Sequence, residues 1–241
     1  MSGYRPVRMD VGAVWARLQP VGTVALDGRP LLVVLGAALV AVGVGPVWSV
    51  LRLGVTLVHE LGHAGVGMLC GRRFTGFVLR GDMSGHAVTV GPARGAGRVA
   101  TTWAGYPAPA VVGAALVWLA GRGWAPVVLA AVVVVLLVAL VRSRSALTVL
   151  VVLAVGAATA WLWWSGPDRL QAQVLVGTGL VLVVGAWRHL GAVAGSQDRS
   201  ASDAAVLAQL TGVPRLLWVA SFGVVCAAAT WLVATTVLAA L

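Results

Sequence analysis

The sequence predicts an all-α polytopic membrane protein of about seven transmembrane helices, with one small β-hairpin lying against the membrane. Three observations carry this. The chain of 241 residues is 60% hydrophobic and only 10% charged, more apolar surface than a soluble core of that length can hide. Stretches free of charge recur over residues 30–51, 99–121, 123–141, 145–167, 170–187 and 216–241, each reaching the roughly 18 residues that mark a spanning helix. One segment, residues 72–92, instead alternates apolar and polar positions around a turn.

The elements follow in order. Residues 1–29 hold Arg5, Arg8, Arg17 and Arg29 but no compact apolar run. They read as a cytosolic leader rather than a cleavable signal, and residues 30–241 as the integral membrane domain. Gly45-Pro46 interrupts the next apolar run, so the spacing predicts one helix at about 30–45 and a second at about 47–70. In Arg72–Pro92, two strands at about 74–80 and 86–91 flank a Gly-Asp-Met-Ser-Gly turn. Two strands alone are marginal in water, so the hairpin must lie against the membrane helices or gain strands from elsewhere. Five further helices are expected at about 99–121, 123–141, 145–164, 170–188 and 214–240. Between the last two, Ser200–Pro214 reads as a short apolar helix beginning near Asp203 and stopping at Thr211-Gly212.

Arginine placement orients this arrangement. With seven crossings and a cytosolic N-terminus, fourteen arginines fall in the inner segments 1–29, 71–98, 142–144 and 188–215, and only Arg122 and Arg169 in the outer loops. The net charge of +10 therefore serves membrane orientation, and no nucleic-acid partner is expected. Cys70 and Cys226, both in apolar context, give no disulfide framework.

The chemistry is concentrated in "TLVHELGHAGVGM", Thr56–Met68. It holds the chain's single glutamate, Glu60, between two of its four histidines, His59 and His63, inside an apolar helix. Residues i and i+4 share a helix face, so His59 and His63 can reach one metal ion. Glu60 is turned by about 100° from His59, which suits it to take a proton from a metal-held water and pass it to a leaving amine. Two imidazoles with a carboxylate suit Zn2+, one per chain. Ionisable groups within a membrane are costly and are read as functional by default.

The third ligand must come from elsewhere. Cys70 lies seven residues beyond His63, about 10 Å along the helix, too far to share the ion. Asp10 and Asp27 sit in the leader, and Asp168 on the outer side, which leaves Asp82, Asp198 and Asp203. Asp203, at the start of its short helix, is the best placed, and N-capping by Ser202 is compatible with ligation. Asp198 lies in a polar stretch and reads as solvated. His86 and His189 read as ordinary polar or interfacial residues.

"HELGH" in a membrane helix, a short hairpin, the "AGYPAPA" segment entering the next helix and a late aspartate resemble the site-2 protease family of intramembrane zinc metallopeptidases. The closest match is its compact bacterial branch without a PDZ domain. The resemblance spans roughly residues 47–120 and 201–217. It implies His59, His63 and Asp203 as zinc ligands and Glu60 as catalytic base. It places Gly105 and Tyr106 in the family's glycine-containing segment beside the active site, as substrate-binding residues. It also implies the bacterial cytoplasmic membrane, and membrane-protein substrates such as membrane-anchored regulators of the anti-sigma type. Many members carry the late aspartate before a glycine in an Asn-Pro-rich context, whereas here it precedes Ala204. Two other classes fit the same residues: a non-catalytic zinc-binding membrane regulator, and a transporter, though a transporter would need mid-membrane polar groups on several helices.

Overall fold

A computed structural model describes residues 11–22, 28–82, 84–195 and 202–240; Asp10, Asp27 and Asp198 lie outside them. The described elements are α1 (Val11–Ala16), α2 (Gly28–Gly43), α3 (Gly45–Leu69), β1 (Arg73–Leu79), β2 (Gly85–Val90), α4 (Ala96–Trp103), α5 (Pro107–Ala120), α6 (Ala125–Val141), α7 (Ala146–Ser165), α8 (Asp168–Gly195), α9 (Asp203–Thr211) and α10 (Arg215–Leu238). The local signals act as expected. α9 starts where Ser202 Oγ accepts the Ala205 N–H at 3.3 Å, and it ends at Gly212, whose φ of +74° favours glycine.

α5 and α8 form the centre of the bundle. A Cβ on Gly113 would lie 2.5 Å from the Gly179 carbonyl oxygen, and a Cβ on Gly179 equally close to that of Gly113. Glycine at both positions is what lets these backbones meet, the usual device where lipid removes the hydrophobic drive between helices. α10 packs on both, α2 on α8, and α6 with α7 as a helical pair. Three apolar clusters result. One joins α5, α8, α9 and α10 around Val117, Leu190, Leu207 and Phe222. A second joins α2, α5, α6 and α8 around Leu31, Leu116, Leu129 and Val176. The third seats the hairpin, Phe74 and Phe77 packing with Leu57, Leu136 and Val152.

α7, α8 and α10 are each long and apolar enough to cross a membrane, and α6 is apolar over 17 residues. The pairs α2–α3 and α4–α5 pass the same test jointly but bend by 97° and 62°. The protein is thus a helical membrane protein with a two-stranded antiparallel sheet.

Seven crossings with the leader on the hairpin's face do not describe it. A Cβ on Gly177 would meet Val34, and Arg188 Nη1 donates to the Val42 carbonyl, so α2 ascends in the same direction as α8. α8 starts at the end of α7, where Gln171 Nε2 donates to the carbonyls of Leu162, Trp163 and Gly166. α3 then turns aside without returning: Val55 lies where a Cβ on Gly185 would go, and the hairpin that follows pairs with the α6–α7 turn. The leader lies at the opposite end. The Val21 N–H donates to the Gly123 carbonyl, Arg17 Nη1 to the Trp163 carbonyl at 2.6 Å, and Trp163 Nε1 back to the Arg17 carbonyl. The leader thus shares a face with the turns that hold Arg122 and Arg169. The reason is physical: Gly-Pro ends a helix but does not set the angle of the next, and a helix turned aside has the same apolar signature as one that crosses back.

The hairpin is held by one edge. The Phe77 N–H donates to the Arg142 carbonyl and the Phe77 carbonyl accepts from the Arg144 N–H, the Leu79 N–H donates to Thr148 Oγ1 at 2.7 Å, and the Arg142 and Arg144 side chains donate to the carbonyls of Phe74 and Thr75. β1 is thereby filled on its outer side, while β2 faces α3.

Candidate metal centre

One face of α3, bearing Arg52, Thr56, His59, Glu60 and His63, lines a cavity of about 580 Å3. Its other walls come from β2, α4, α8 and α9. Within it three donor atoms converge: His59 Nε2 and His63 Nε2 are 3.1 Å apart, and Asp203 Oδ2 lies 3.4 and 3.2 Å from them. Ligands bound tetrahedrally at about 2.0–2.1 Å would be about 3.3–3.4 Å from one another, so this triangle has the size of one face of a zinc site. Among the described residues it is the one cluster of three such groups that could hold a metal ion.

The surroundings favour the same reading. His63 Nδ1 lies 2.7 Å from the Thr101 carbonyl, which can only accept, so Nδ1 carries the proton and the Nε2 lone pair points into the triangle. Asp203 Oδ2 is buried and receives no hydrogen bond. A buried carboxylate oxygen left without a donor is costly unless a cation sits beside it. Two nitrogens and an oxygen form a donor set that fits zinc.

Glu60 is 4% exposed and turned toward the hairpin. A Cβ on Gly85 would fall 2.6 Å from Glu60 Oε1, and the carboxylate accepts a backbone hydrogen bond from Ala87. β2 therefore fixes the carboxylate beside the triad. Gly105, in the bend between α4 and α5, presses on both imidazoles: a Cβ there would lie 2.4 Å from His63 Nε2 and 2.7 Å from His59 Cε1. Tyr106 meets His59 edge-on at 5.0 Å and stacks on Phe222 at 5.1 Å.

The remaining candidates fall elsewhere. Asp82 turns into its own hairpin turn, accepting from Ser84 Oγ at 2.6 Å and the Ser84 N–H at 2.9 Å, which hold its carboxyl below the usual range. Cys70 is exposed at the end of α3. His86 and His189, taken from sequence as ordinary polar residues, both line the cavity, and the His189 ring lies 6.4 Å from that of His59. Arg52 and Arg98 line it too and were not foreseen. Arg52 could have been found, since it precedes His59 by seven residues and so shares its helix face.

The family model described as peptidase M50B-like matches residues 32–233, a span that contains every residue of the triad and Glu60. No curated protein and no solved structure matches.

Proposed function

The chain belongs to the peptidase M50B-like family, a site-2 protease family of membrane peptidases, and from that premise we propose that it is a zinc endopeptidase cleaving peptide bonds in or near the transmembrane segments of other membrane proteins. The observation that carries the proposal is the convergence of His59 Nε2, His63 Nε2 and Asp203 Oδ2 beside a buried glutamate that is not one of them.

His59, His63 and Asp203 would hold one zinc ion, which when bound supplies Lewis acidity to a scissile carbonyl and to a water molecule. Glu60 takes the proton of the attacking water and delivers it to the amine as the carbon–nitrogen bond breaks. The contacts of its carboxylate with Gly85 and Ala87 hold it in position for both transfers. The Thr101 carbonyl keeps His63 in its ligating tautomer. Gly105 and Tyr106 back the imidazoles and border the substrate path.

A substrate helix satisfies its own amides and must unwind before attack. The two hairpin edges differ in what they can offer. β1 is already bonded along its outer side, whereas the outward groups of β2 border the cavity, so an unwound segment would add to β2.

Six crossings fit the contacts: α2 with α3 turned aside at its end, α4 with α5, then α6, α7, α8 and α10. Ten arginines then belong to the site end, in residues 70–98, 142–144 and 188–215, against six at the leader end. This balance supports a reading in which the site faces the cytosol of a bacterial cytoplasmic membrane and the leader lies on the far side. Membrane-anchored regulators of the anti-sigma type remain the substrates the family resemblance suggests.

The test is metal content together with cleavage. Purified protein should carry one zinc per chain, His59→Ala should carry none, and the wild type reconstituted in liposomes should cut a reporter helix. Full zinc with no cut in any reporter would favour a non-catalytic zinc-binding regulator.

A further inference from the structure

We propose that the cavity selects substrate segments carrying acidic side chains on both sides of the scissile bond, with Arg52 and Arg98 as the specificity-determining residues; this rests on the peptidase reading above. Besides four histidines and Tyr106, the ionisable side chains lining the cavity are two arginines, Arg52 and Arg98, and two carboxylates, Glu60 and Asp203. Both carboxylates among them are committed: Asp203 is wedged between the imidazoles and Glu60 is buried against β2. At the same end Arg142, Arg144, Arg188 and Arg215 each donate to a backbone carbonyl. Among the described residues, the guanidinium groups of Arg52 and Arg98 form no hydrogen bond and no ion pair, and it is the backbone N–H of Arg98 that donates to the Gly95 carbonyl. A bound zinc ion would add further positive charge. What such a cavity lacks is an anion.

The placement of the two arginines says where that anion belongs. α4 runs antiparallel to α3, since a Cβ on Gly97 would meet Cys70, one on Gly67 would meet Thr101, and one on Gly105 would meet His63 and His59. Arg98, one turn before Thr101, therefore lies beyond His63. Arg52 lies about 10 Å before His59, two turns back along the same helix face. β2 runs beside α3 from Glu60 to Gly67, with Gly85 against Glu60 and Thr89 against Gly67, and a segment laid along it would continue past Gly85 toward Arg52. An extended segment laid along β2 advances about 3.3 Å per residue, so each guanidinium faces a side chain about three residues from the bond to be cut. Guanidinium and carboxylate pair as a fork, and a cleft of lowered dielectric strengthens the pair over one in open water.

The test measures binding, not turnover. Zinc-loaded Glu60→Gln protein in zwitterionic nanodiscs is titrated with fluorescent nine-residue peptides that differ only by aspartate or asparagine at the third position on either side of the centre. The doubly acidic peptide should bind about five- to tenfold more tightly at low salt, with the advantage shrinking toward 1 M salt. Arg52→Gln should abolish the preference at one position and Arg98→Gln at the other. Arg98→Glu should reverse its own, so that lysine there restores affinity, a rescue that a misfolded variant could not give. Equal affinity for aspartate and asparagine peptides in the unmodified cavity overturns the proposal. So does an aspartate preference that survives both glutamine variants while phosphatidylglycerol binding is lost, which would assign the arginines to lipid headgroups. A chain that cuts no reporter yet shows the charge-swapped binding keeps the preference of Arg52 and Arg98 for acidic segments but sinks the peptidase reading, and with it the scissile bond between them.

Discussion

The two ends of the bundle use the same residue in different ways. At the leader end Arg122 lies 3.9 Å from the ring centre of Trp118, and Arg17 lies 5.7 Å from that of Trp164 while donating to the Trp163 carbonyl. Trp15, Trp124 and Trp161 are exposed around them, so this end is a girdle of aromatic rings and stacked cations suited to a membrane interface. At the site end Arg142 and Arg144 serve as hydrogen-bond donors that close β1, and Arg52 and Arg98 face the cavity. An arginine tally by segment treats all of these as orientation signals. Reassigning the leader changes the balance from fourteen against two to ten against six, which supports the proposed inner side for the site end by a narrower margin.

The sharpest way to break this comparison is all-or-none. With exposed Cys70 replaced by alanine, a cysteine at Leu18 or Asp168 should label from one side of the membrane and a cysteine at Ser84 only from the other. Joint labelling of Leu18 and Ser84 variants would restore the seven-crossing order. Next in size is the division of labour within the site. Glu60→Gln should keep zinc and lose about a hundred- to ten-thousandfold in cleavage, the usual worth of a general base; an undiminished rate would remove that role. Gly105→Ala drives a methyl group into both imidazoles and should lower zinc affinity about ten- to a hundredfold, as other losses of ligand orientation do. Gly177→Ala, which meets only an ordinary contact at 3.5 Å, is the control. Asp203→Asn should cut zinc occupancy while Asp82→Asn leaves it intact. The smallest effect belongs to the leader end. Trp163→Phe deletes the indole bond to Arg17 and should cost about 1 kcal/mol of stability in a thermal melt without changing the rate of cleavage.

Local patterns made much of this legible. HExxH spacing put His59 and His63 on one face, Ser202 and Gly212 bracketed the short helix of Asp203, and a Gly-rich turn located both strands to within one residue. Each signal depends on a few adjacent residues. What was not legible depends on distant ones. The direction of α3 follows from packing on α8, which Gly45-Pro46 does not encode. The filling of β1 comes from residues 142–148, some seventy positions away. His189 looks like any polar residue near a helix end until α8 brings it to His59. Gly105 was taken as substrate-binding, and only the fold brings it against the two imidazoles.

The clamp on β1 ties the hairpin to α6, which is shorter than α7, α8 or α10, the other apolar helices not joined in a bent pair. α6 has 17 residues, about 25 Å of helix, against a hydrocarbon core of about 30 Å. The surrounding lipid must thin, or the helix must shift, to bury its ends. Its last turn hands directly to Arg142 and Arg144, which hold β1, and β1 holds the strand that touches Glu60. A change in bilayer thickness would reach the carboxylate through this series of contacts. Reconstitution in short-chain and long-chain phosphatidylcholine should give different rates for one substrate, and loosening the clamp with Thr148→Val, which removes the acceptor of the Leu79 N–H, should reduce that dependence.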